Sequence, residues 1–324
     1  MNNKNIKLKF RDDGTFRVLM MSDLQESAQY DIRSLRSVEV LLDEADPDLV
    51  ILGGDNCDGH EIKNKNDLKE FLDIFTAPLE ERGIFWAHVY GNHDHDAKVD
   101  IACQQKIYES YPHCVSSHTD DSIHGKSNFM LPVYNSKNEI ALAVWGLDTN
   151  HEVSELDALV GGNAKEKIAL PNKPVGYGPW GMLYFDQLMW YYNTSCELEN
   201  YVGKKVPGLL CMHIAPYEYR MAQANPELCI KEGNYDEGLD STPFNSGLFS
   251  LLIQRGDIKS ISCGHTHMND FDAEYCGIRL FWDACAGYRC YGVDTRRGGR
   301  LFVYNEQNPS IVESKMIRTF NKIK

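Results

Sequence analysis

The chain has 324 residues, 43% of them hydrophobic and 25% charged, enough to bury a large core and unlike a disordered or fibrous composition. Its formal net charge of −14 argues against a surface that wraps nucleic acid, which needs a basic face to neutralise phosphates. The opening MNNKNIKLKFRDDGTF has no apolar segment of signal-peptide type, and no later apolar run is long enough to span a bilayer. The expectation is a cytoplasmic chain with no membrane anchor.

IKLKF and FRVLMMSD, on either side of the turn signal DDG, predict a short hairpin. Helical and strand-like segments then alternate. A helix is expected in DIRSLRSVEVLLDEA, a strand in DLVILGGD, a helix in NDLKEFLDIFTAPLEE and a strand in IFWAHVYGN. Nearly continuous apolar strands separated by amphipathic helices predict an α/β fold whose sheet is covered on its faces.

In the second half, NFMLPVYN and EIALAVWGLD predict a hairpin, and MLYFDQLMWYYNTSCELEN a helix. PGLLCMHI, IKSISCG, IRLFWDA and GRLFVYNE read as strands, with LLIQRGDI as an apolar lead into KSIS. The stretch HEVSELDALVGGNAKEKIALPNKPVGYGPWG lacks periodicity and is rich in Gly, Pro and Asn. It predicts a surface insertion near 149–180 that borders the functional site, as long irregular loops often do. Otherwise a single domain over 1–324 is expected. Ten cysteines with no CxxC spacing indicate neither a zinc ribbon nor a thioredoxin motif. They are expected as small core residues or free thiols.

Polar residues gather where apolar runs stop. FRVLMMSD ends at Asp23, LVILGGD at Asp55, FWAHVYGNHD at Asn92, His93 and Asp94, GLLCMH at His213, and SISCGHTH at His265 and His267. In open α/β sheets the carboxyl ends of strands line the binding crevice, so these side chains are expected to converge. Taken singly, each has an ordinary alternative: a strand-end Asp is a common turn or cap residue. Together they form a mixed carboxylate, amide and imidazole set, which suits divalent ions of intermediate hardness such as Mn, Fe, Zn or Ni. There are more donors than one four-coordinate ion needs. The surplus points to two ions bridged by one carboxylate, about 3.5–4 Å apart.

The ordered series SDLQ, GGDN, GNHD, MH and GHTH resembles the calcineurin-like metallophosphoesterase superfamily. HIAPYEY and GHTHMNDF look like its branch of predicted phosphohydrolases related to purple acid phosphatases. The resemblance implies a four-layer αββα sandwich of two mixed β-sheets flanked by helices. It implies two divalent or mixed-valence ions of Mn, Fe or Zn, one held by Asp23, Asp55 and His267, the other by Asp55, Asn92, His213 and His265. His93 would sit by the leaving group or a phosphate oxygen, and Asp94 would orient it by accepting its other ring proton. Gln25 departs from the pattern, since the superfamily usually has a histidine there. As a neutral amide ligand it would bind the first ion less tightly, or favour a harder metal such as Mn or Mg. Asp58 is a further candidate for that shell, with an ordinary turn residue as the preferred reading.

The activity implied is phosphoester hydrolysis, of a monoester or small diester, by attack of a metal-bound hydroxide, with His93 protonating the leaving alkoxide. His95, Arg220 and Arg289 are candidates for substrate contact, and Tyr217, Tyr288 and Tyr291 for the pocket floor. A small phosphorylated substrate is the expected partner. A metal-dependent nuclease of the same superfamily is the alternative, disfavoured by the acidic charge and the lack of a basic stripe with interleaved aromatics. A non-catalytic scaffold with a degenerate first metal site is a third reading.

Overall fold

The computed structural model describes residues 7–323 apart from 118–119, 164–179, 239 and 242–243. Two mixed sheets face each other. The smaller runs β13-β12-β2-β3-β4, built from β2 (Thr15–Met21), β3 (Leu49–Gly53), β4 (Phe85–Val89), β12 (Gly298–Asn305) and β13 (Val312–Arg318). In it β2, β3 and β4 are parallel, and β12 returns antiparallel to β2.

The larger sheet runs β1-β5-β6-β7-β9-β11-β10-β8. Its strands are β1 (Leu8–Lys9), β5 (Phe129–Tyr134), β6 (Ile140–Gly146), β7 (Gly208–Cys211), β8 (Ile230–Glu232), β9 (Ile258–Cys263), β10 (Asp272–Tyr275) and β11 (Ile278–Trp282). The central β6, β7, β9 and β11 are parallel.

Alternation along the strands builds the layers. Phe16, Val18 and Met20 of β2, Leu49 and Ile51 of β3, and Ala87 and Val89 of β4 face Val133, Leu142, Val144, Leu209, Cys211 and Phe281 across the intersheet core. The other face of the smaller sheet, with Leu19, Val50 and Trp86, packs on Val38, Leu41, Leu42, Leu68, Phe71 and Leu72 of its helices. Helix Phe185–Val202 and helix Leu248–Arg255 cover the outer face of the larger sheet through Leu188, Tyr191, Leu248 and Leu252. The result is the expected four-layer αββα sandwich, in which each fully buried Leu, Val, Ile or Phe contributes roughly 1.5–3 kcal/mol.

Helix ends follow local chemistry. Helix Ile32–Ala45 starts where the Asp31 side chain accepts the Arg33 N–H, and stops at Asp46 in the left-handed conformation. Helix Lys65–Phe75 is opened by a capping box of Asn64 and Asp67. The single helix expected in NDLKEFLDIFTAPLEE is two, Lys65–Phe75 and Ala77–Glu81, because Pro78 cannot donate to the helix before it but fits a first turn.

Two other expectations change. IKLKF and FRVLMMSD turn at Asp12–Gly14 without pairing: β1 joins β5 in the larger sheet, and β2 belongs to the smaller. The apolar lead before KSIS is helix Leu248–Arg255, ended by Gly256 at φ 69°. Of the stretch near 149–180, residues 164–179 lie outside the described residues. Among the described residues, no helix is long and apolar enough to cross a membrane.

Candidate metal centre

Asp23 follows β2, Asp55 follows β3, Asn92 and His93 follow β4, His213 follows β7, and His265 and His267 follow β9. Parallel strands of both sheets therefore deliver their carboxyl ends to one edge of the sandwich. Backbone bonds lock the ends together: Asp23 N–H donates to Gly54 O at 3.0 Å, Gln25 N–H to Asp55 O at 2.9 Å, and Gly264 N–H to His213 O at 3.1 Å. Asp23, Gln25, Asp55 and His265 have φ of 55°, 43°, 48° and 78°. Left-handed backbone at non-glycine residues costs on the order of 1–3 kcal/mol each and tends to collect at functional sites.

The donors form two groups that share Asp55. Ligand atoms of Asp23, Asp55 and His267 lie within 4.8 Å of one another, as do those of Asp55, His213 and His265. Asp55 Oδ2 is 3.2 Å from His213 Nε2, and Asp23 Oδ1 is 3.3 Å from His267 Nε2 and 3.9 Å from His213 Nε2. The far side of two rings is pinned, since His213 Nδ1 donates to Gly53 O at 2.9 Å and His267 Nδ1 to Tyr291 O at 2.8 Å. Each ring thereby turns Nε2 inward.

Asp23 Oδ1, Asn92 Oδ1, His213 Nε2 and both ring nitrogens of His265 are buried with no hydrogen-bond partner. Native interiors rarely leave so many polar atoms unpaired in one place; a pair of cations would satisfy the two oxygens, His213 Nε2 and one nitrogen of His265, and the oxygen and imidazole set suits such ions. The carboxylates concentrate negative charge in the group. Burial opposes a charged His213, yet Asp55 and Asp23 raise its pKa to about 9. Burial and the neighbouring His213 lower that of His265 to about 3. Glycines make room: a Cβ on Gly54 would sit 2.5 Å from the His213 ring, and one on Gly91 only 2.2 Å from Asp55 Oδ1.

Gln25 lies beside this group, its Nε2 3.4 Å from Asp55 Oδ2, with the amide oriented by that contact. Asp58 caps a short 3-10 turn by accepting the His60 N–H, the ordinary turn role. His93 stands at the mouth with its side chain 38% exposed. Its partner is not Asp94. Asp94 is fully buried and accepts the backbone N–H groups of Asn56, Cys57 and Gly91 at 2.8–3.1 Å, so it clamps the two strand-end loops to each other. His93 Nδ1 instead donates to Asp96 Oδ2 at 2.8 Å.

His95 stacks on His151 with ring centroids 5.2 Å apart and planes at 5°. Arg289 donates to Ser27 Oγ and Gln29 O on the loop after Gln25, at the rim of the first donor group. Arg220 donates to Ser241 Oγ at 2.7 Å, on the segment between β8 and helix Leu248–Arg255. Tyr291 stacks on His267 at 4.0 Å, while Tyr288 faces Arg33 and Arg297.

Several neighbours escaped the sequence reading. Asp96 was detectable in principle, because i and i+3 share a face of a helical turn. His151 Nε2 lies 3.4 Å from Asp96 Oδ1, and Trp180 packs edge-on against His265 at 4.8 Å, so both described ends of the irregular stretch border the centre. Cys285 and Cys290 sit behind His267, their sulphurs and one of its ring nitrogens all within 4.8 Å. Nothing in the spacing of the cysteines indicates this.

The profile of the calcineurin-like phosphoesterase family matches residues 16–269. The chain is 27% identical over 315 residues to "Probable inactive purple acid phosphatase 14" of Arabidopsis thaliana, covering 88% of this chain and 74% of that protein. It is 24% identical over 288 residues to "Phosphatase DCR2" of Saccharomyces cerevisiae, covering 82% of this chain and 46% of that one. A dimetal phosphatase from Danio rerio shares the fold with a TM-score of 0.58 at 13% identity, over 93% of this chain and 98% of its own. The match, running from β2 to just past His267 and so taking in every strand end that carries a donor, shows that this chain belongs to the calcineurin-like phosphoesterase family.

Proposed function

We propose that the protein is a dinuclear-metal phosphohydrolase acting on phosphomonoesters or small phosphodiesters. The observation that carries this is the pair of buried donor groups sharing Asp55, with unpartnered polar atoms turned inward. Asp23, Asp55 and His267 would hold one ion, and Asp55, Asn92, His213 and His265 the other. Such a pair acidifies a coordinated water and neutralises phosphoryl oxygens as charge develops.

The chain's own residues do the rest. Gly53 O and Tyr291 O fix the tautomer of His213 and His267 by accepting their Nδ1 protons. Burial disfavours a protonated His93, but the carboxylates of Asp55 and Asp96 outweigh it and raise its pKa. Once Asp55 is shared with cations, Asp96 is the partner that remains. With Nδ1 held there, the ring offers Nε2–H to a leaving oxygen as general acid. The net charge of −14 supports a small phosphorylated substrate over nucleic acid.

Two observations favour a second reading, a non-catalytic scaffold: Gln25 stands where the superfamily usually has a histidine, and relatives carry "inactive" in their names. Hydrolysis of p-nitrophenyl phosphate and of its bis ester, on protein loaded with Mn, Fe or Zn, separates the two. The hydrolase reading predicts turnover of at least one ester, reduced about 10²–10⁴-fold in His93→Ala with metal content retained. No turnover by protein that holds two ions would favour the scaffold.

A further inference from the structure

The loop between β11 and β12 carries a second cluster of reactive groups. Arg297 is 3% exposed, and its Nη1 donates to Cys285 Sγ at 3.1 Å and to Cys290 Sγ at 3.5 Å, while Nη2 donates to Cys290 O at 2.9 Å. One buried guanidinium thus holds both sulphurs together, and with His267 they fall inside a 4.8 Å circle. Both are free thiols, Cys285 buried and Cys290 partly exposed. The intervening residues are anchored, Ala286 N–H to Ser22 O and Gly287 N–H to Asp23 O, so the two cysteines are held in place and not brought together by chance.

We propose that Cys285 and Cys290 form a redox-modification site, closed to a disulfide by a peroxide, which weakens the ion held through His267. The second half rests on the reading of His267 as a metal ligand. Cys290, the less buried of the two residues, attacks the peroxide O–O bond. That bond breaks, Cys290 becomes a sulfenic acid and hydroxide leaves. Cys285 then attacks the sulfenic sulphur, the S–O bond breaks and water leaves. Overall two thiols are oxidised and hydrogen peroxide is reduced to two waters. Arg297 lies where it steadies negative charge on either sulphur during these steps.

Closure reaches the metal centre through one peptide. The two sulphurs are unbonded in the structure, so forming an S–S bond of about 2.05 Å draws the Cys290 sulphur toward Cys285. Tyr291, the next residue, both accepts the His267 Nδ1 proton and stacks on its ring. Moving it loosens the support that aims His267 Nε2 at Asp23, and loss of such outer support typically costs 10–100-fold in metal affinity.

The test uses the full-length metal-loaded protein, treated with a small excess of hydrogen peroxide, then alkylated and mapped by peptide mass spectrometry, with metal content measured in parallel after dialysis. The expected result is a Cys285–Cys290 peptide pair lighter by two hydrogens, reversed by a thiol reductant, with ion content falling from two per chain toward one. In Cys290→Ser, peroxide should leave ion content unchanged. Both cysteines recovered alkylated after peroxide would overturn the proposal, as would a bond mapped to another pair. A Cys285–Cys290 bond with undiminished ion content would overturn the link to His267. The wild-type map decides the bond even if the serine variant misfolds. A reduced protein that holds no ion would refute the metal reading while leaving the bond itself open to the same map.

Discussion

At the scale of single residues, two carboxylates in one short segment, Asp94 and Asp96, have different work. Asp94 holds backbone: it accepts from three N–H groups and is fully buried, so Asp94→Ala leaves those donors unsatisfied at roughly 1–3 kcal/mol each. Asp96 holds His93. Asp96→Asn should therefore lower kcat more than it raises KM and move the alkaline limb of the pH–rate profile to lower pH. The sign follows from charge: the carboxylate helps to raise the His93 pKa, and its removal lets the ring lose its proton earlier. Steady-state kinetics across pH check this, and an unchanged alkaline limb would remove Asp96 from the positioning of His93. The sequence made His93 visible because it ends an apolar strand inside an ordered set of motifs. It did not make the partner visible, because adjacency favoured Asp94, whereas the 3-10 turn over His93–Asp96 brings Asp96 back under the ring.

At the scale of elements, the centre depends on tight strand ends. β3 leaves its sheet through Gly54, at φ 91°, directly under the His213 ring. Gly54→Ala would place a methyl 2.5 Å from that ring, within a backbone conformation that alanine resists. The expected outcome is loss of the ion proposed to bind His213, with ion content falling to one per chain or below and a lower melting temperature. Full metal content in that variant would show that the loop yields, and that His213 is not confined by β3. Most strands and the longer helices were legible in the sequence because their apolar periodicity is strong. Sheet membership was less so. The turn Asp12–Gly14 reads as a hairpin from local residues alone, yet β1 and β2 pair with strands far along the chain, and a two-residue strand such as β1 carries no periodicity. The helix Leu248–Arg255 merged with the strand after it because a short apolar run does not distinguish the two.

At the scale of the whole molecule, the two sheets are joined by more than apolar packing. Arg300 of β12 forms an ion pair with Asp283, just past β11 in the opposite sheet, at 2.8 Å with side chains 1% and 0% exposed. Arg300 also donates to Asp270 O, Trp282 O and Ser314 Oγ. Burial raises the Asp283 carboxyl to about 6, against the pull of Arg300. Removing one member of such a pair strands the other charge, so Arg300→Met should cost about 3–5 kcal/mol in chemical denaturation. Adding Asp283→Leu should recover part of the loss. A single variant within about 0.5 kcal/mol of the wild type would mean that the pair does not hold the sheets.

The sandwich matters to function because it sets parallel strands of both sheets against a single edge, where Asp55 belongs to both donor groups. The most direct test is elemental analysis of protein purified without chelator and dialysed against Mn. Two ions per chain is the predicted result, falling to one or none when Asp55 is replaced by Ala. Two ions retained without Asp55 would contradict its place between the groups, and no bound ion in the wild-type protein would contradict the centre as a whole.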